Sequence, residues 1–278
     1  MTLQLSNASK SYGANEIFTQ LNFEIKPYDK IAIIGRNGCG KTSLLKILAG
    51  QLALDKGEIF KPRDLKVGYL AQANATSEEL TVEAYFEPLF FDIYALEIEL
   101  GNLAARLNAH SSDEELQQYA TKMENFERLG GYTYRQEWMT IFTQFGFRDE
   151  DLQRPVMTLS GGQKTRLAFV YLLISKPDVL LLDEPTNHLD MSTIEWLETY
   201  LAHYDKALVF VSHDRMFIDH VAKTIVEMEF GELTTYVGNY ANFLTQKALN
   251  QEKQLNSFKR QQKDIHRDRK STRLNSSH

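Results

Sequence analysis

The sequence predicts an α/β fold built on a mainly parallel sheet, and three observations carry that expectation. Short, almost uniformly apolar runs recur at 30–35 (KIAIIG), 178–183 (DVLLLD) and 207–212 (ALVFVS), as in strands covered on both faces. Stretches with helical spacing separate them, which is the alternation of a parallel α/β sheet. A glycine-rich segment, 35–43 (GRNGCGKTS), follows the first of these strands directly and precedes a helical run.

In chain order, Leu3 and Leu5, then Ile17, Leu21, Phe23 and Ile25, alternate with polar residues and predict strands broken near Gly13 and Pro27. The run at 30–35 is a buried strand. The helix after it should turn Leu44, Leu45, Ile47 and Leu48 inward and end near Gly50. GEIFKP and KVGYLAQ predict two more strands. From about Thr81 to Phe147 apolar residues recur at three- and four-residue steps, and Ser111 or Ser112 is placed as an N-cap before three acids. The helical subdomain therefore spans about 81–158, inserted into the sheet domain. MSTIEWLETYLAHY is the helix between the last two buried strands, and TIVEMEFGELTTYVG predicts a closing hairpin turning at Gly231.

After Asn239 the pattern changes. Leu244, Ala248, Leu255, Phe258 and Ile265 lie on a seam of four- and three-residue steps, with Gln251 and Gln262 at its other positions. The same stretch carries Lys247, Lys253, Lys259, Arg260, Lys263, Arg267, Arg269 and Lys270. It reads either as a coiled-coil seam or as a solvated helix face. The polar end, 271–278, does not continue the seam and reads as a non-native tail. The expected division is a sheet domain over 1–238, a helical linker over 239–270 and that tail.

At 278 residues and 43% hydrophobic the chain can bury a large core. Its formal charge of −6 makes no overall demand for nucleic acid. Cys39 is the single cysteine, so an internal disulfide framework is excluded and a reducing compartment is expected. No apolar run approaches the ~20 residues that cross a bilayer, and the N-terminus lacks the basic and apolar regions of a signal peptide. The expectation is a cytosolic protein without direct membrane insertion.

The segment Gly35, Arg36, Asn37, Gly38, Cys39, Gly40, Lys41, Thr42 and Ser43 fits G-x-x-x-x-G-K-[ST]. Its amides would form a concave nest for phosphate oxygens, backed by the positive end of the following helix. Lys41 would reach the β- and γ-phosphates, Thr42 would place its hydroxyl on Mg²⁺, and Ser43 would add a phosphate contact. Asp183 ends a buried strand, where a carboxylate can hold a magnesium-bound water, and Glu184 would polarise an attacking water as general base. His213 would bond the γ-phosphate and orient that water. Gln72 would lie beside metal and water, and Tyr12 would stack on adenine; His188 is assigned a structural role. A second glycine pair, in TLSGGQ at 158–163, precedes another helical run and offers a second anion site.

Together these residues resemble the nucleotide-binding domain of ABC ATPases over roughly 2–236. The matching motifs run in the family's order: an aromatic loop (Tyr12), Walker A (35–42), a Q-loop (Gln72), LSGGQ (159–163), Walker B (179–184), a D-loop ending at Asp190, and an H-switch (His213). The resemblance implies a P-loop NTPase fold with an antiparallel β subdomain and an inserted helical subdomain. It implies ATP and Mg²⁺ as cofactors. It further implies that Ser160, Gly161, Gly162, Gln163 and Asp190 act on ATP held by a partner domain, so that one chain carries half of each site. The 87-residue span from Gln72 to Leu159, the arm-like insertion and the C-terminal linker are similar to the ABC-F group. That similarity implies a tandem ATPase acting on the ribosome, in translation or in antibiotic resistance, with rRNA contact through the linker. One departure stands out: from Glu83 to Arg128 ten acids face three bases, and an arm lying on RNA phosphates should be basic. The alternatives are a transporter's ATPase subunit, or a module that binds ATP without appreciable turnover.

Overall fold

A computed structural model describes residues 2–70, 80–107, 111–187, 189–250 and 252–253. The chain forms two compact units, 1–61 with 201–278, and 62–200.

In the first unit, β1 (Leu3–Tyr12) pairs antiparallel with β2 (Asn15–Ile25) and with β4 (Lys56–Phe60). The alternation seen in the sequence is the reason. Leu3 and Leu5, and Leu21, Phe23 and Ile25, fall on the covered face, because side chains two apart in a strand share a face. An irregularity around Gln20 (φ 51°) shifts the register, so that Phe18 is buried and the expected Ile17 only half-buried. β3 (Lys30–Gly35) lies parallel between β7 (Ala207–Val211) and β8 (Thr224–Glu229). β9 (Glu232–Val237) returns antiparallel to β8 around Gly231. Helix α1 (Lys41–Leu48) follows β3 and buries Leu44, Leu45, Ile47 and Leu48. Helix α7 (Arg215–Val221) follows β7, and a last helix, α8, runs over 240–250.

Lys30 is an unusual member of this core. It is 3% exposed, and its Nζ donates to the carbonyls of Tyr204 (2.5 Å) and Lys206 (2.7 Å). Burial first, then the charge of Lys223, pulls its pKa down to about 8. The unfolded chain therefore binds more protons than the folded one between about pH 8 and 10.5, so this residue makes stability rise with pH across that window. Urea unfolding at pH 7.5 and pH 9.5 should show wild type gaining on Lys30→Met, by on the order of 1–3 kcal/mol. Equal pH dependence in the two proteins would contradict the shift.

In the second unit, β5 (Val67–Leu70) and β6 (Val179–Asp183) pair parallel. Three helices fill the insertion: α2 (Val82–Ala104), α3 (Asp113–Arg128) and α4 (Tyr134–Gln144). Thr81 caps α2 through Ala84 N–H (3.2 Å). Ser112, not Ser111, caps α3, in a reciprocal box with Glu115. The core of the insertion is aromatic, with Phe86 against Trp138 (5.4 Å) and Phe142 stacked on Phe147 (4.7 Å). Helix α5 (Gly161–Ile174) and all but the last two residues of α6 (Met191–Ala202) complete the unit. It is wider than the helical span of 81–158, since β5, α5 and β6 belong to the same compact body.

The expected tail at 271–278 and the part of the expected linker beyond Lys253 lie outside the described residues. Within α8 the first turns show which face meets the domain. Phe243 is buried, its ring 5.0 Å from Tyr236 of β9, whereas the seam residue Leu244 is half-exposed.

Candidate functional site

The phosphate loop is shaped by backbone conformations and close approaches that exclude side chains. Gly35 closes β3 at φ 155°, and a Cβ there would stand 2.4 Å from the Met228 carbonyl oxygen of β8. Gly40, at φ 107°, would push a Cβ to 2.2 Å from Ile17 Cγ2. Both contacts are shorter than any real Cβ contact, so only glycine permits this path. Gly40 is also the N-cap of α1 and provides no side-chain acceptor. The helix's first amides are thereby left for an anion.

Lys41 is buried and curls back over the loop, donating to the carbonyls of Gly35 (2.8 Å) and Arg36 (3.0 Å). Phosphate oxygens could replace those two acceptors. Thr42 is exposed, and the Ser43 hydroxyl lies 3.3 Å from that of Tyr12. Tyr12 is thus set beside the loop with half its surface open. A contact with no trace in the residue pattern holds its strand end. Asp55 accepts from Lys10 Nζ (2.8 Å) and from the amide and hydroxyl of Ser11 (both 2.7 Å). Lys10 first, then Ser11, hold this carboxyl down at about 2.

Cys39 is half-buried in the loop, its Sγ 2.9 Å from where a Cβ on Gly35 would stand. Complete alkylation of Cys39 should therefore abolish nucleotide binding, because the added group has no room to turn inward. Titration with a fluorescent ATP analogue before and after alkylation checks this; equal affinity would overturn it.

His213 follows β7 and is exposed on a pocket of about 430 Å³ that also takes in Gly35 and Arg36. Its neighbours pin it on both sides. Buried Ser212 accepts the Asp214 amide on its Oγ (3.0 Å), and Asp214 caps α7 through the amides of Met216 (2.9 Å) and Phe217 (3.2 Å). Neither flanking residue was singled out from the sequence, although an aspartate before a short apolar run is a cap signal.

The carboxylates lie in the second unit. Asp183 is half-buried at the end of β6. Its charge, after burial, helps push the nearby Tyr69 phenol up to about 12, so that Tyr69 stays protonated beside it. Glu184 has φ 50°. A left-handed glutamate costs on the order of 1–3 kcal/mol and is the kind of strain that collects at functional sites. The turn it opens closes through Asn187 N–H to its carbonyl (3.2 Å). Asp190 accepts from the Thr193 amide and the Ser192 hydroxyl (both 2.8 Å), the first of which leads in holding it ionised.

The second glycine pair begins α5. Ser160 Oγ accepts from Gln163 N–H (3.3 Å), and the Gln163 side chain accepts from Ser160 N–H (2.9 Å). As an acceptor, the Ser160 hydroxyl keeps its own proton to give elsewhere. A Cβ on Gly161 or Gly162 would meet nothing within 4 Å. The first unit thus brings together Tyr12, 35–43 and His213, and the second unit carries Asp183, Glu184, Asp190 and 160–163. Gln72 and His188 lie outside the described residues.

A P-loop after a buried strand, a strand-end carboxylate pair and a capped LSGGQ helix define an ABC-type ATPase cassette. The chain belongs to the ABC transporter family: sequence families of that description match residues 18–187 and 226–276. It is 42% identical to the putative ATP-binding protein YdiF of Bacillus subtilis, over 95% of this chain and 42% of the relative. It is 36% identical to ABC transporter F family member 2 of Arabidopsis thaliana, over 95% and 40%. It is also 36% identical to the energy-dependent translational throttle protein EttA of Mycobacterium tuberculosis, over 88% and 43%. The chain is of the ABC-F type, and it spans about two fifths of the length of these relatives. In fold it matches an ATP-binding subunit of an ABC transporter, with a TM-score of 0.65 at 17% identity over 90% of this chain and 94% of that one. A dimeric ATP-binding cassette holding ADP and Pi matches with a TM-score of 0.57 at 21% identity, over 84% and 98%.

Proposed function

We propose that this chain is one cassette of a paired ABC-F ATPase that works on the ribosome, with each ATP held by residues 35–43 of one cassette and closed over by residues 160–163 of the other. The observation that carries the pairing is the open space over Gly161 and Gly162. Among the described residues, packing gives no reason for glycine at either position. A phosphate approaching the N-terminus of α5 would give one, since it needs bare backbone and the free proton of Ser160.

In this reading Lys41 leaves its two carbonyls for the β- and γ-phosphates, and Tyr12 offers its open face to adenine. Glu184 is assigned to take a proton from the attacking water, and His213 and Gln72 to orient it. Mg²⁺ would be held by Thr42, Asp183 and Gln72. Hard oxygen donors of this kind suit magnesium, which keeps several waters and binds largely through substrate phosphates. When bound, the ion would neutralise charge on the phosphates.

The ribosomal assignment rests on the F-type relatives, one of them a translational throttle protein, and on the basic stretch from Lys247 to Lys270. The acidic insertion suits a protein surface better than RNA. Among the described residues no helix is long and apolar enough to cross a membrane.

The pairing is tested by ATPase rate against concentration of this chain. The expected result is a rate per molecule that rises with concentration as copies pair. Brisk turnover by a strictly monomeric sample would overturn it.

A further inference from the structure

The pocket beside His213 has two kinds of wall. One side is phosphate machinery, Gly35, Arg36 and His213; the other is the root of α8, Tyr240, Phe243 and Lys247. Between them runs the end of β8. Glu229 lies there with two cations competing for it, Arg36 at 3.9 Å and Lys247 at 3.8 Å. Lys247 is also bonded to Glu227, which is nearly buried, and sits over the Phe243 ring (5.9 Å). Arg36 is 82% exposed and free to swing.

A second tether reaches the same helix from the other side. The Tyr240 amide donates to Asp219 of α7 (2.6 Å), and the Arg215 guanidinium lies over the Tyr240 ring (5.4 Å). Helix α7 starts two residues after His213. The root of α8 is therefore tied both to the loop proposed to hold phosphate and to the segment that carries His213.

We propose that Glu229 is a shared counter-ion through which nucleotide binding tightens the root of α8, with Lys247 and Tyr240 as positioning residues. The proposal rests on residues 35–43 being the ATP site. Incoming phosphates draw Arg36 away from Glu229. The carboxylate is then left to Lys247, which pulls α8 more firmly onto β8. Because coupling between two equilibria is reciprocal, firm seating of α8 also frees Arg36 and strengthens nucleotide binding. The linker helix thus reads the state of the phosphate loop through one carboxylate.

Hydrogen exchange of the amides over 240–250, with and without Mg²⁺ and a non-hydrolysable ATP analogue, tests this on the 278-residue chain. In wild type the analogue should slow exchange there by about two- to fivefold, the range an exposed ion pair can supply. Lys247→Met should lose that response and bind the analogue more weakly by the same factor, an equality that a merely structural defect has no reason to meet. Lys247→Arg, which keeps the charge, should restore both. Analogue binding that leaves exchange at 240–250 unchanged in wild type overturns the coupling, as does an unaltered response in Lys247→Met or in Glu229→Gln. Failure of the analogue to bind at all would instead overturn the nucleotide reading of 35–43, and the coupling with it.

Discussion

Glu184→Gln should lower ATP turnover by about 10²–10⁴-fold, the usual contribution of a positioned general base, while nucleotide affinity is kept. The substitution is close to isosteric, so the left-handed turn at 184 and its closing bond from Asn187 can persist. What is lost is the ability to accept a proton. With hydrolysis blocked, the ATP-bound pair accumulates, because ligand binding shifts the population toward the closed state and nothing then empties the site. Co-sedimentation with ribosomes in the presence of ATP should therefore rise. Ordinary turnover and release by this variant would remove Glu184 from the role given to it.

The strain at Glu184 also shows where sequence reading reaches its limit. Positive φ is legible where glycine requires it, as at Gly40, because the residue type announces the conformation. At Glu184 the residue type announces the opposite, and only the strand end at Asp183 marks the place. The buried strands were legible for a simpler reason. Covered on both faces, β3, β6 and β7 have to be apolar over nearly all of their length, with Lys30 and Asp183 only at strand ends, and a run such as KIAIIG has few other uses. Ties between distant residues left no such trace. Asp55 lies more than forty positions from Lys10 and Ser11, and neither its spacing nor its type distinguishes it from any surface acid. The last helix, α8, falls between these cases. The seam through Leu244 and Ala248 is visible as periodicity, but periodicity does not say which face meets the domain. Phe243 and Lys247, one position off that seam, make the contacts with β8 and β9.

Two glycines, each changed to alanine, should fail for opposite reasons, and the contrast locates the active site. Gly40→Ala places a Cβ 2.2 Å from Ile17 Cγ2 and 3.1 Å from Met228 Cε, on a backbone at φ 107°. A strain of ~1–3 kcal/mol set against the bound conformation weakens nucleotide binding by roughly 5- to 150-fold. Gly162→Ala meets no atom within 4 Å and lies in the first turn of α5. Alanine is the better helix former, so the fold should gain up to ~1 kcal/mol and the chain's own ATP site should be untouched. Yet its methyl group stands where a partner's phosphate would approach. Turnover should fall by about 10²–10³-fold, as when one donor to a developing negative charge is removed. Mixing then separates pairing from self-sufficiency. Gly162→Ala supplies an intact phosphate loop, and Lys41→Ala supplies an intact LSGGQ segment. Combined, two inactive proteins should recover part of the wild-type rate, because each mixed pair contains one whole site. Two inactive proteins that stay inactive on mixing, though each still pairs with wild type, would mean that residues 160–163 do not act on a neighbour's nucleotide.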